Sequence, residues 1–190
     1  MIQQNLIRLV DIFLSIIGLS LLSPILIAIT LLGFIDTGSP FFRQQRIGLN
    51  KRTFILIKFR TMKANTTSVA THLVNTKAIT PLGRVLRRTK LDELPQLINV
   101  LLGQMSLIGA RPCLPNQTTL IHERSIRNVY DYKPGITGLA QINSIDMSTP
   151  KKLAKVDAIM NKNINICYYF SLISQTIIGR GLGDAAHPKR

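Results

Sequence analysis

From Ile12 to Ile35 the chain carries no charged residue, and Asp11 and Asp36 bracket the run. Those 24 residues would make roughly 36 Å of straight helix, longer than the ~30 Å of a hydrocarbon core. No other stretch constrains the fold as strongly, because an apolar helix of that length has to be covered by lipid or by most of a protein core. A cleaved signal peptide fits poorly: Arg8 is the single basic flank upstream, and no small-residue cleavage site closes the run. The sequence therefore predicts a retained membrane segment.

Ser23-Pro24 falls in the middle of that run, with Gly18 and Ser20 just before it. Pro24 lacks an N–H and crowds the carbonyl of Ser20, so a kink is expected there. The hydroxyls of Ser20 and Ser23 can serve backbone groups freed by the break, which lipid cannot do. Each arm is then about 18 Å long, too short to cross alone. Two topologies remain open at this point: a bent helix entering and leaving by one face, or a kinked spanning helix. The basic segment after residue 41 places the C-terminal side in the cytoplasm in both.

Formal charge is +15 with a pI near 10.5, which points to an anionic partner: nucleic acid, anionic lipid or phosphorylated small molecules. The absence of Trp and only eleven Phe and Tyr weaken a base-stacking role, so no nucleic-acid partner is expected. Cys113 and Cys167 stand alone, and His72, His122 and His187 lack metal-ligand spacing.

Between Phe41 and Lys63 there are seven basic residues and no acid. Phe54 to Phe59 has strand character and Gly48-Leu49-Asn50 reads as a turn, predicting a short hairpin. Lys58 and Arg60 are two apart, on one face of a strand, where they can grip a phosphate or meet anionic headgroups. Residues 65 to 79 read as a polar loop beside the site, and Thr80-Pro81 as the N-cap and first position of a helix to about Arg88.

The stretch Thr89-Lys90-Leu91-Asp92-Glu93-Leu94-Pro95-Gln96 sets two adjacent carboxylates into this basic field. Before Asp92 the chain has thirteen Lys and Arg against Asp11 and Asp36 alone. Asp92 is expected to N-cap a helix running to Leu102, which would hold its carboxylate ionised. Capping alone is one explanation of the pair; chemistry on an anionic substrate is the other. Further on, Thr149-Pro150 reads as a helix start, with Leu153, Val156 and Met160 on one stripe. The segment Ile164 to Ile178 reads as an interfacial helix that places Tyr168, Tyr169 and Phe170 at headgroup depth. Arg180 would lie beside the phosphates, and the residues after it would form a loose tail.

Several segments together resemble the bacterial sugar transferase family, small monotopic phosphoglycosyl transferases. They are Lys90 to Leu97 with Asn99-Val100 and Met105-Ser106, Gly109-Ala110-Arg111-Pro112, and Lys133-Pro134-Gly135-Ile136-Thr137-Gly138-Leu139-Ala140-Gln141-Ile142-Asn143. Upstream, Ser23-Pro24 and Ile57 to Met62 match in order. The resemblance implies a mainly helical α+β fold. Residues 1–38 would be a re-entrant membrane helix broken at Ser23-Pro24. Residues 39–190 would be a catalytic domain with a small β-hairpin and amphipathic interfacial helices, on the cytoplasmic face of the bacterial inner membrane. Asp92 would attack the β-phosphorus of a UDP-sugar, with an N-acetylated amino sugar expected, and release UMP. Undecaprenyl phosphate would then take the phosphosugar. Mg²⁺ would sit near Asp92, and Glu93 would position the metal or move a proton.

Lys58, Arg60, Arg87, Arg111 and Pro112 are the expected substrate-binding residues, a guanidinium fork matching two phosphate oxygens. The basic charge makes anionic inner-leaflet lipids expected partners, and exposed apolar helix faces could meet lipid or a second subunit in a homo-oligomer, which the sequence leaves open. Two departures from the family pattern stand out: Ala110 replaces a proline, and Ser144-Ile145 replaces Gly-Arg. The second removes an arginine near the sugar phosphate and leaves a non-catalytic membrane scaffold as the alternative function.

Overall fold

The structure, a computed structural model, describes residues 2–63, 66 and 78–179. Most of the expected 65–79 loop, Arg180 and the tail after it lie outside the described residues, as do His72 and His187.

Two apolar helices open the chain, α1 (Ile2–Leu21) and α2 (Ser23–Thr37), separated at Leu22. Pro24 cannot donate to the carbonyl of Ser20; the Ser23 hydroxyl does so instead, at 2.8 Å. Gln3–Leu21 is long and apolar enough to cross a membrane by length and composition. Its outer side exposes Leu9, Phe13 and Leu21, and α2 exposes Ile27, Leu31 and Ile35.

The inner sides of both helices are tied to the rest of the chain. Arg8 donates to the carbonyls of Val100 and Leu101 at 2.6 and 2.9 Å, a cation on a helix C-terminus. Asp11, 1% exposed, accepts from Ser106 Oγ at 3.1 Å, from Leu107 N at 2.9 Å and from the Tyr169 hydroxyl. On α2, Ile29 packs with Phe59 and Leu86, and Asp36 accepts from Thr80 Oγ1 at 2.7 Å. Such donors offset the cost of taking a carboxylate out of water.

The hairpin forms as the strand character and the Gly48 turn lead one to expect: β1 (Phe41–Ile47) pairs antiparallel with β2 (Thr53–Phe59), register Phe41↔Phe59 to Ile47↔Thr53. Gly48 and a short 3-10 turn at Leu49–Lys51 connect the strands. Thr80 caps α3 (Pro81–Thr89), its Oγ1 accepting from Gly83 N at 2.9 Å. Leu86 on α3 is buried, whereas Val85 is exposed.

Helix α4 (Gln96–Leu101) docks on β2 through Asn99, whose side chain acts as a strand edge. Asn99 Oδ1 accepts from Ile57 N at 3.0 Å, and its Nδ2 donates to Ile55 O at 2.7 Å.

Beyond α4, β3 (Ser106–Ile108) pairs in parallel with β4 (Gly135–Thr137). The two chains approach so closely beside this pair that a Cβ on Gly135 would lie 2.0 Å from Gly109 N. Around this pair stand α5 (Thr118–Ser125), α6 (Leu139–Ile142), α7 (Pro150–Asn163) and α8 (Ile166–Ile177). Leu153 and Met160 of α7 are buried, as the stripe predicts. Tyr169 is not at a surface: it is fully buried, its hydroxyl bound to Asp11, because α8 packs against α1 and β3.

Candidate active site

Three segments converge on the acidic pair. Lys90, in the left-handed region at φ 57°, ends α3 and begins a 3-10 turn at Leu91–Glu93 that contains both acids. Asp92 is therefore not an N-cap: Lys90 occupies that position, Pro95 precedes α4, and no side chain caps either turn. Lys58 comes from β2, Arg87 from the last turn of α3, and Arg111 from the segment after β3.

Arg111 Nη2 donates to Glu93 Oε1 at 2.6 Å. Burial would raise the Glu93 carboxyl, but the Arg111 charge and hydrogen bond, with Lys58 and Lys90 behind them, hold it below the ordinary glutamate value. Asp92 is 7% exposed and takes no hydrogen bond or ion pair at contact distance from the described residues. Burial, and then the Glu93 charge, push it up to about 6, against the pull of Lys58, Arg111 and Arg87. This reverses the expectation of a depressed aspartate, since the helix N-terminus invoked for it is absent.

The cations answer to the same field. Burial brings Lys58 down to about 8, with Asp92 opposing and Arg111, Arg46 and Arg87 adding. Burial also lowers Arg87, whose Nε donates to Thr61 Oγ1 at 2.9 Å. Arg46, missed in the sequence because strand arginines read as surface, is buried here and interacts with Arg111 and Glu93. Its signal was the two-residue spacing to Gln44, which puts both on one strand face; both are buried.

The site so gathers Lys58, Arg87, Arg111, Asp92 and Glu93 and adds Arg46. Arg60 shares the Lys58 face, their charged groups lying 5.6 and 5.5 Å from the Phe42 ring centre. Its guanidinium donates to Ser39 O at 2.9 Å and Phe41 O at 3.3 Å, and its charge is not among the largest influences on either acid. Pro112 is buried and contributes its carbonyl to Arg46. Ser144 takes the left-handed φ of 54°, and Ile145 packs against the Leu153 and Ala154 cluster.

Among the described residues no three His, Cys, Asp or Glu gather into a metal cage. Mg²⁺ needs none when one carboxylate and substrate phosphates hold it, and the donor-free Asp92 carboxylate fits that demand.

A deep-set carboxylate, an arginine held by Glu93 and a basic wall make a setting suited to an anionic, phosphate-bearing ligand. The bacterial sugar transferase family model matches residues 2–180, and the chain belongs to that family. It is 40% identical over 151 residues to EpsL of Bacillus subtilis (strain 168), an uncharacterized sugar transferase, covering 79% of this chain and 74% of the relative. It is 35% identical over 175 residues to the exopolysaccharide production protein PSS of Rhizobium leguminosarum bv. phaseoli, covering 87% of each. It is 40% identical over 149 residues to a UDP-glucose:undecaprenyl-phosphate glucose-1-phosphate transferase of Xanthomonas campestris pv. campestris, covering 74% of this chain and 30% of that protein. The chain thus spans about a third of the length of the relatives so named, 30%, 30% and 32% for three of them.

Proposed function

We propose that this chain transfers a sugar-1-phosphate from a UDP-sugar to undecaprenyl phosphate, in exopolysaccharide or related glycan synthesis, with Asp92 as the nucleophile. The observation that carries this reading is the Asp92 carboxylate itself: buried, without a hydrogen-bond donor among the described residues, and facing cations. Lys58, Arg46, Arg87 and Arg111, with Lys90 beside Glu93, outnumber the carboxylates of Asp92 and Glu93. A UDP-sugar diphosphate carries two negative charges and suits that positive field.

An Asp92 oxygen would attack the β-phosphorus while the bond to the bridging oxygen breaks, so that UMP leaves. An oxygen of undecaprenyl phosphate would then attack the same phosphorus and return Asp92 as carboxylate. Mg²⁺, held by Asp92 with the diphosphate, would supply charge neutralisation. Glu93, fixed to Arg111, orients a phosphate-gripping guanidinium. The exposed apolar faces of α1 and α2 support a membrane seat, and a re-entrant course through Ser23-Pro24 would put Asp92 where an aqueous donor and a lipid acceptor both reach it.

A UMP-release screen with Mg²⁺, undecaprenyl phosphate and a panel of UDP-sugars tests the reading. UDP-glucose is the donor in several relatives' names, and UDP-N-acetylhexosamines are the donors the family resemblance implies. Release from at least one donor by the wild type, and none by Asp92→Asn, is expected. Undiminished release by the variant would remove Asp92 from the mechanism.

A further inference from the structure

Three consecutive carbonyls in the segment that carries Arg111 are each held by a donor. Arg124 Nη1 donates to Arg111 O at 2.8 Å, Arg46 Nη1 to Pro112 O at 3.0 Å, and Ile47 N to Cys113 O at 3.0 Å. Pro112 has no N–H, so this segment cannot pair with β1 as an ordinary strand, and side-chain guanidiniums supply donors a ladder would give.

The two arginines are not equivalent. The charge of Arg124 is met by Asp157, at 2.9 Å from Nε and 2.7 Å from Nη2. Arg46 has no carboxylate at ion-pair distance among the described residues. Its Nη2 goes to Gln44 Oε1, and its Nε is buried without an acceptor. A buried guanidinium with an orphan donor and no contacting carboxylate among the described residues is costly, and an apolar side chain would fill the same space more cheaply. Such a cost is tolerated where the group serves the chemistry.

We infer that Arg46 is a positioning residue for the phosphoryl transfer: it fixes the Arg111–Pro112 backbone so that Arg111 meets Glu93 and the donor diphosphate from one place. The inference rests on the proposed function for its kinetic consequence and on geometry alone for its structural one. Misplacing a phosphate-gripping group by about 1 Å costs roughly a hundredfold in rate.

The test is a double-mutant cycle on the full chain in detergent, with Arg46→Met, Arg111→Met and the double variant. UMP release from UDP-glucose and UDP-N-acetylglucosamine, with undecaprenyl phosphate and Mg²⁺, is read beside the unfolding midpoint. Arg46→Met is expected to lower kcat roughly 10- to 100-fold, with KM for the donor nearly unchanged. The double variant should be no slower than Arg111→Met, and its midpoint shift should be well short of the sum of the single shifts. Additive losses in both readouts overturn the inference. Should the wild type release no UMP from either donor, the functional reading fails, and the unfolding cycle alone decides the positioning role by the same criterion. If Arg46→Met does not fold, Arg46→Lys, which keeps the charge but offers one nitrogen in place of the fork, takes its place in the cycle.

Discussion

Arg111 donates to Glu93 at 2.6 Å, and that ion pair leaves the adjacent Asp92 carboxylate without a contact partner among the described residues. The two acids thereby divide. Glu93 is held ionised and in place, while Asp92 keeps its lone pairs for an incoming atom.

Asp92→Asn is expected to abolish UMP release, by about a thousandfold or more, and at the same time to stabilise the fold. A carboxyl moved from 3.8 to about 6 costs the folded state at most about 3 kcal/mol at pH 7. The sign follows from linkage: the unfolded chain loses this proton first, so the penalty grows as pH rises from near 4 to near 6 and is complete above it. Chemical unfolding at pH 5 and pH 7 checks this, the gain over wild type being larger at pH 7.

Because Asp92 must be ionised and Lys58 charged, kcat/KM should be bell-shaped. The acid limb is expected near 6 and the alkaline limb near 8. Arg111→Met removes a cation that pulls both carboxyls down, so its acid limb should move upward. A pH–rate profile of each form measures both.

A Cβ on Gly83 would lie 2.1 Å from the Thr61 carbonyl oxygen. Gly83→Ala must push α3 off the hairpin end and carry Arg87 away from Thr61 and Asp92. A destabilisation of about 1–3 kcal/mol is expected, together with a loss of activity larger than that of Arg84→Ala, on the exposed side of the same helix.

Ser144 holds a left-handed φ of 54°, a conformation a side chain adopts at a cost. Ser144→Gly is therefore expected to raise stability by about 1 kcal/mol, with UMP release little changed. Thermal unfolding reads the first and initial rates the second.

Much of this arrangement was legible before any coordinates. The strand character of Phe54 to Phe59 and the Gly48 turn mark the hairpin, and Thr80-Pro81 starts α3. The charge asymmetry around Asp92 singles out the acids, and Lys58, Arg87 and Arg111 reach them. What periodicity does not carry is contact between distant segments. The β3–β4 pair has three residues a side, too few for a pattern, and Asn99 docks on β2 through a side chain no propensity marks. The field at Asp92 differs from the expectation because Lys90 accepts a left-handed conformation and caps the 3-10 turn two residues before the expected cap at Asp92. Arg46 and Arg124 escaped because a buried arginine shows itself only through the carbonyls it serves. Arg60, just past the end of β2, shares the Lys58 face and binds the Ser39 and Phe41 carbonyls.

The covalent intermediate is the central claim, and mass spectrometry tests it most directly. Wild-type protein mixed with the active UDP-sugar and Mg²⁺, without undecaprenyl phosphate, should gain the mass of one sugar phosphate on the peptide containing Asp92 and release UMP in step. UMP appearing only when the acceptor is present, with that peptide unmodified, would contradict it.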